Sequence, residues 1–249
     1  MIRPLFDSHL HIIDPRFPLV ENAGYLPPPF TVADYRARTA DWSLVGGAVV
    51  SGSFQAFDQS YLLAALRELG GGFVGVTQLP VTVTDEEVLA LSAAGVRGVR
   101  FNLRRGGSAA AEDLGPMAAR CHELAGWHVE LYVDAAELGA LRSLLLELPA
   151  VCIDHLGLSR AGLPALLSLV EQGVRVKATG FGRVDFPVEE GTRGERVSID
   201  FTADDLEISL PDGVFDLDGG FGSFLICEGI QAGLNAGGDA VIGLLTGPI

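Results

Sequence analysis

Asp7-Ser8-His9-Leu10-His11 closes a short apolar run that starts at Pro4, and the fold is read outward from this stretch. Two histidines two residues apart fall on the same side of an extended strand. Imidazoles placed this way can share one divalent metal or clamp one carbonyl. A pair of strand-end histidines bonded to backbone carbonyls would show the same spacing. The position behind Asp7-Ser8, at the end of a first strand, favours a site.

Downstream, short β-rich runs alternate with helix-like segments, the pattern of parallel strands joined by helical crossovers. The expected strands are Pro4–Ser8, Gly47–Ser51, Phe73–Thr77, Gly98–Leu103, His128–Val133, Val151–His155 and Val174–Ala178. Helices are expected over Asp58–Leu69, Thr84–Ala94, Asp113–Ala125, Ala135–Leu148 and Ser159–Gln172. Thr84-Asp85-Glu86-Glu87 reads as a helix start, with a capping oxygen and acids in the first turn. Glycines at 95, 126 and 173 stand where helix C-caps belong. The fold class predicted is α/β, a TIM-like (β/α)8 barrel that is distorted or incomplete at its eighth strand. The 249 residues are about the usual size for one such barrel.

The chain divides at residue 186. Residues 1–186 supply strands 1 to 7 of the barrel. Residues 187–249 are acidic and glycine-rich, carrying −10 of the formal net charge of −15 and no histidine or lysine. Within them, VSIDF and LEISL flank Thr202–Asp205 and suggest an antiparallel hairpin. A barrel one strand short has two open edges. One strand of this segment is therefore expected to pair with the seventh or the first strand.

Composition narrows the class. A hydrophobic fraction of 48% and a charged fraction of 20% suit a large core. The negative balance argues against nucleic acid or an anionic membrane as partner. No apolar run approaches the length of a membrane span, and the start has no leader pattern. Cys121, Cys152 and Cys227 form no CxxC pair and read as reduced thiols of a cytoplasmic protein.

In a parallel barrel the C-terminal strand ends carry the chemistry. Those ends offer His9 and His11, then Ser51 and Ser53, then Arg100, Asn102 and Arg104. Strand 5 adds Glu130 and Tyr132 on one parity, strand 6 Asp154 and His155, and strand 7 Lys177, Thr179 and then Arg183. His155 is a third imidazole at the same end. Arg100, Arg104 and Arg105 could hold a carboxylate by bidentate pairing, with Arg105 read as covering the rim. Glu130 and Lys177 are mid-strand charges that fit either a salt bridge inside the barrel or a catalytic role. Pro27-Pro28-Pro29 stiffens the loop after strand 1, as part of a lid.

DSHLHIIDPRFPL, GYLPPPFTVADY, GVRGVRFNL, HVELYVDA, CIDHLGLS and VKATGFGRVDF, in this order from Phe6 to Phe186, resemble the amidohydrolase superfamily. More narrowly, the chain resembles the metal-dependent hydrolases of the 2-pyrone-4,6-dicarboxylate lactonase-like branch. The resemblance implies a distorted TIM-like barrel and hydrolysis of a small carboxylated or sugar-derived lactone. It implies that His9, His11 and His155 surround the scissile carbonyl, with one divalent ion, zinc or manganese, held by the same three histidines, or with no metal at all. It places Ser53, Arg104, Tyr132 and Arg183 near positions that hold substrate carboxylates or hydroxyls. The expected partner is a small anionic or cyclic-ester molecule, and a homo-oligomer is left open.

The chain departs from that family at strand 8, where an aspartate in a Gly-Thr-Asp-x-Pro context deprotonates the attacking water. Asp200, Asp216 and Asp218 are substitutes by residue type only, and solvated acids in an acidic tail is the reading preferred for them. Two other functions therefore stay beside lactone hydrolysis. One is a catalytically impaired barrel that binds a metal or a small acid, and the other a decarboxylase of aromatic acids within the same superfamily.

Overall fold

The computed structural model describes residues 5–177, 179, 199–201, 206–208, 224–227 and 241–244. Seven strands run parallel in chain order: β1 (Leu5–Leu10), β2 (Leu44–Val50), β3 (Phe73–Thr77), β4 (Val96–Asn102), β5 (His128–Tyr132), β6 (Val151–Ile153) and β7 (Arg175–Val176). Six helices connect them: α1 (Val32–Arg38), α2 (Ser60–Leu69), α3 (Asp85–Ala93), α4 (Leu114–Ala125), α5 (Leu138–Glu147) and α6 (Leu163–Val170). This is the (β/α) barrel pattern expected from the sequence, curled and incomplete among the described residues.

Strand alternation sorts the side chains. In β4, Val99 and Phe101 face the helices while Arg100 and Asn102 take the other parity; in β5, Val129 and Leu131 alternate with Glu130 and Tyr132. The outward set joins Leu114, Leu138, Leu145, Ile153 and Leu166 in one apolar core between sheet and helices. Trp127, at the entry to β5, is 1% exposed in the same core. α3 starts on a capping box between Thr84 and Glu87, as the sequence predicts. α4 ends on Gly126 at φ 68°, whose N–H donates to the His122 carbonyl, a left-handed cap that a side chain would strain.

Beyond shifts of a few residues at other element ends, three features differ from the sequence reading. Helix α1 was not expected; its start is a capping box of Thr31 and Asp34, which follows directly on the proline run that marks the segment as loop. β6 stops at Ile153 rather than His155, because residues 155–157 turn. β7 covers only Arg175–Val176, and Ala178 lies outside the described residues.

The C-terminal segment contributes four strands. β8 (Ile199–Phe201) pairs antiparallel with β9 (Leu206–Ile208), Ile199 opposite Ile208, which is the hairpin predicted from VSIDF and LEISL. β11 (Val241–Leu244) lies parallel to β1 with Asp7 facing Ile242, and β10 (Phe224–Cys227) runs antiparallel to β11. The edge of β1 is thus covered by backbone pairing. No described helix is long and apolar enough to cross a membrane.

Phe101 is fully buried in the outer core. Phe101→Ala should lower unfolding free energy by about 3–5 kcal/mol, read from the midpoint of urea unfolding.

Candidate active site

The interior of the barrel, at the carboxyl ends of its strands, holds an unusual number of charges. Arg100, Glu130, Asp154 and Lys177 are all buried. Arg100 donates to Asp154 Oδ2 from Nη2 at 2.7 Å and to the Ser51 carbonyl from Nη1 at 2.7 Å. Its Nε lies 3.7 Å from Glu130 Oε1. Lys177 Nζ pairs with Glu130 Oε2, so the mid-strand charges form the internal salt bridge that was one of their two sequence readings. Burial alone would lower the Lys177 pKa; Glu130 and then Asp154 reverse it and keep the ammonium charged.

His9 is fully buried over these groups. Its Nδ1 lies 3.4 Å from Asp154 Oδ1, 3.5 Å from Lys177 Nζ and 3.6 Å from Glu130 Oε1. Its backbone N–H donates to Asp7 Oδ1 at 3.1 Å, while Asp7 Oδ2 accepts from the Tyr35 hydroxyl of α1 at 3.1 Å. Burial holds the His9 pKa well below the ordinary imidazole value; Asp154 opposes this and Lys177 adds to it. Burial would raise the Asp154 carboxyl, but His9 and Arg100 outweigh it and hold it well below the carboxylate range.

His11 and His155 complete an imidazole cluster. Ring centroids lie 5.0 Å apart for His9 and His11, and 4.7 Å for His9 and His155. His11 Nδ1 is 2.7 Å from the Val50 carbonyl, which fixes its proton there. His155 Nδ1 is 2.8 Å from Thr179 Oγ1. A narrow cleft open to solvent is lined by His11, Tyr25, Ser53, Phe54, Arg100, Asn102, Arg105, Tyr132 and His155.

Two buried loops shape this cleft. Gln55 accepts from the Gly52 N–H and donates to the Ile12 carbonyl, both at 2.7 Å, which ties the loop carrying Ser53 to the end of β1. Gln78 Nε2 donates to the Ala56 carbonyl at 2.8 Å from the neighbouring strand exit. On the other side, Tyr25 comes over the cleft from the loop before α1, its ring under the Arg105 guanidinium at 5.6 Å. Asn22 Nδ2 donates to the Arg105 carbonyl at 3.2 Å, so this loop is tied to the β4 exit at the mouth of the cleft.

The structure thus brings His9, His11, His155, Ser53 and Tyr132 together. Arg104 is exposed and does not line the cleft; Arg105, read from sequence as rim cover, does. The reason is a turn at the end of β4, where Asn102 Oδ1 accepts from Arg105 N–H at 2.9 Å and swings Arg105 back over the opening. Arg183, Asp216 and Asp218 lie outside the described residues, as does the side chain of Asp200. Tyr25 has no place among the sequence candidates, and Asp154 stands there only as a polar strand-end residue beside His155. The strand-end position that marks Asp154 has no counterpart at Tyr25, which carries no such local signal.

His9, Asp154 and His155 each offer one ligand atom, and these lie within 4.8 Å of one another. His11 is not in that group. His9 Nε2 and Asp154 Oδ1 are buried with no hydrogen-bond partner among the described residues. Two imidazoles and a carboxylate suit one divalent ion, so the residues present fit the metal that the family implies.

A model described as amidohydrolase matches residues 6–206. The chain belongs to the amidohydrolase family. It is 31% identical over 156 residues to the 2-pyrone-4,6-dicarboxylate hydrolase of Comamonas testosteroni, which covers 61% of this chain and 51% of that protein. It is 30% identical over 159 residues to the 4-sulfomuconolactone hydrolase of Rhizobium radiobacter, over 61% of this chain and 52% of that one. This amidohydrolase chain therefore spans about half the length of the curated relatives it matches. Among solved structures, one described as a probable 2-pyrone-4,6-dicarboxylic acid hydrolase of Acinetobacter baumannii, with citric acid bound, superposes with a TM-score of 0.64 at 26% identity. The match covers 72% of this chain and 71% of that one.

The buried neutral state of His9 in this amidohydrolase has a stability signature. An unfolded histidine titrates near 6.5, while the folded His9 does so well below. Between the two values the unfolded chain binds more protons, so stability falls as pH drops through about 6.5, by at most about 1.4 kcal/mol per pH unit. Urea unfolding of protein stripped of divalent ions should show this slope, and His9→Gln should reduce it.

Proposed function

We propose that this chain carries the active site of a hydrolase that opens a small carboxylated or sugar-derived lactone by water attack on a polarised carbonyl. The observation that carries the reading is the cluster of His9, His11 and His155 beside a cleft that also presents Arg100, Arg105, Ser53 and Tyr132. Relatives named as hydrolases of a pyrone dicarboxylate and of a sulfomuconolactone support it. Both names describe acidic cyclic esters, which suits the arginines of the cleft.

In this mechanism the Arg105 guanidinium holds a substrate carboxylate, with Arg104 and Arg183 retained as candidates from the family resemblance. Ser53 and Tyr132 bind substrate oxygens. His155 stands at the cleft and stabilises negative charge that develops on the carbonyl oxygen. His11, its Nδ1 proton held by the Val50 carbonyl, turns the Nε2 lone pair to the cleft, where it can accept a proton. His9 supports them from below, kept neutral by burial. Where a divalent ion, zinc or manganese, is bound by His9, Asp154 and His155, it supplies Lewis acidity and lowers the pKa of water. His11, included with His9 and His155 in the sequence-based ligand set, then acts on the substrate side. Buried, unpaired Cys121 and Cys152 support a cytoplasmic setting.

A second reading, an impaired barrel that binds a metal or small acid, is favoured by one observation: the family's strand-8 aspartate motif is missing from the sequence. A panel of acidic and sugar-derived lactones, with and without added zinc or manganese, separates the two. Turnover is the expected result; binding of the acids without turnover would establish the impaired barrel instead. Arg105→Ala should raise KM for a carboxylated lactone by about 10- to 100-fold. His155→Asn should cut kcat by about 10²- to 10³-fold, and chelation followed by metal re-addition shows whether turnover depends on an ion.

A further inference from the structure

Residues 155–158 have φ values of 53° (His155), 52° (Leu156), 67° (Gly157) and 68° (Leu158). Four successive residues in the left-handed region, three of them not glycine, form a conformation that an L-chain does not hold by itself. Leu158 has ψ −36°, and the Ser159 N–H donates to the Gly157 carbonyl at 2.8 Å, close to the rare, strained hand of γ-turn. This turn carries the His155 imidazole into the cleft. Something outside it must keep it in place.

We propose that the contact between Asp134 and Ser159 is a latch that positions His155 by holding this left-handed turn against the exit of β5. The Asp134 carboxylate accepts the Ala136 N–H at 3.0 Å and also accepts the Ser159 hydroxyl. Beneath this link the β5 exit at Ala135 packs closely against two glycines of the 155–162 segment. A Cβ on Gly157 would come 2.6 Å from the Ala135 Cβ, and one on Gly162 would come 2.1 Å from the Ala135 carbonyl carbon. From the other side, the Leu156 N–H donates to the Lys177 carbonyl at 3.0 Å. The turn is therefore clamped between β5 and β7, and Asp134–Ser159 is the side-chain bond that closes the clamp on the β5 side.

Neither Asp134 nor Ser159 lines the cleft, so their effect reaches substrate through His155. They are positioning residues. The ring of His155 meets Tyr132 at 5.4 Å and His9 at 4.7 Å, and loosening the turn would let it leave both. The kinetic arm of the test rests on the lactone-hydrolase reading, and the spectroscopic arm does not.

The test uses Ser159→Ala, Asp134→Asn and Ser159→Thr in the full chain. In the first two, amide exchange at Leu156, Leu158 and Ser159 should quicken by about tenfold or more, while amides of β2 and β3 keep their rates. The His155 ring signals in histidine-labelled NMR spectra should move or broaden. Ser159→Thr, which keeps the hydroxyl, should restore both. With a lactone that the parent hydrolyses, kcat should fall by about tenfold or more while KM stays within about twofold. Unchanged exchange at 156–159 with unmoved His155 signals would overturn the latch, as would loss of protection spread equally over β2 and β3. If the parent hydrolyses no lactone, the functional reading fails and exchange and NMR still decide the latch.

Discussion

Four charges that have left water together, Arg100, Glu130, Asp154 and Lys177, set the terms for everything at the open end of this barrel. Each comes from a different strand, β4 to β7 or the residue that follows it. Arg100 with Asp154, and Lys177 with Glu130, neutralise one another, so these four groups carry no net charge between them. Removing one partner of such a pair strands the other, which typically costs about 3–5 kcal/mol. The network therefore constrains strand register as well as charge, since a one-residue slip would turn these groups towards the apolar helix layer.

The imidazoles sit on this base. His9 meets Asp154, Glu130 and Lys177 around a single ring nitrogen, and its backbone is tied through Asp7 to Tyr35 of α1. His11 and His155 are fixed differently, by the Val50 carbonyl and the Thr179 hydroxyl. Three histidines of one kind thus occupy three environments. The rigid charged floor, the hydrogen bonds at Nδ1 and the lid formed by Tyr25 and Arg105 together give a site whose polar groups converge before any ligand arrives.

Much of the fold was legible because its signals are local. All seven parallel strands were expected, with Phe73–Thr77 found at its predicted ends, since apolar alternation and glycine caps repeat within a dozen residues. Helix α1 escaped because a seven-residue helix behind three prolines has too little periodicity to show. The hairpin of β8 and β9 was readable for the same local reason that α1 was not: its two runs alternate cleanly about a polar turn.

By itself, the sequence determined the βα alternation, the place of His9, His11 and His155 at one end of the strands, and the shared parity of Arg100 with Asn102 and of Glu130 with Tyr132. These follow from periods of two and 3.6 residues, which neighbouring residues alone express. Only the tertiary structure decided that Arg105 rather than Arg104 faces the cleft, that Asp154 rather than His11 brings a ligand-type atom within 4.8 Å of those of His9 and His155, and that β11 covers the edge of β1. Each of these depends on a turn or a register between residues far apart in the chain, as with Asp7 opposite Ile242. Backbone pairing and loop direction leave little mark on side-chain pattern, and that is why the histidines could be read early and their partners could not.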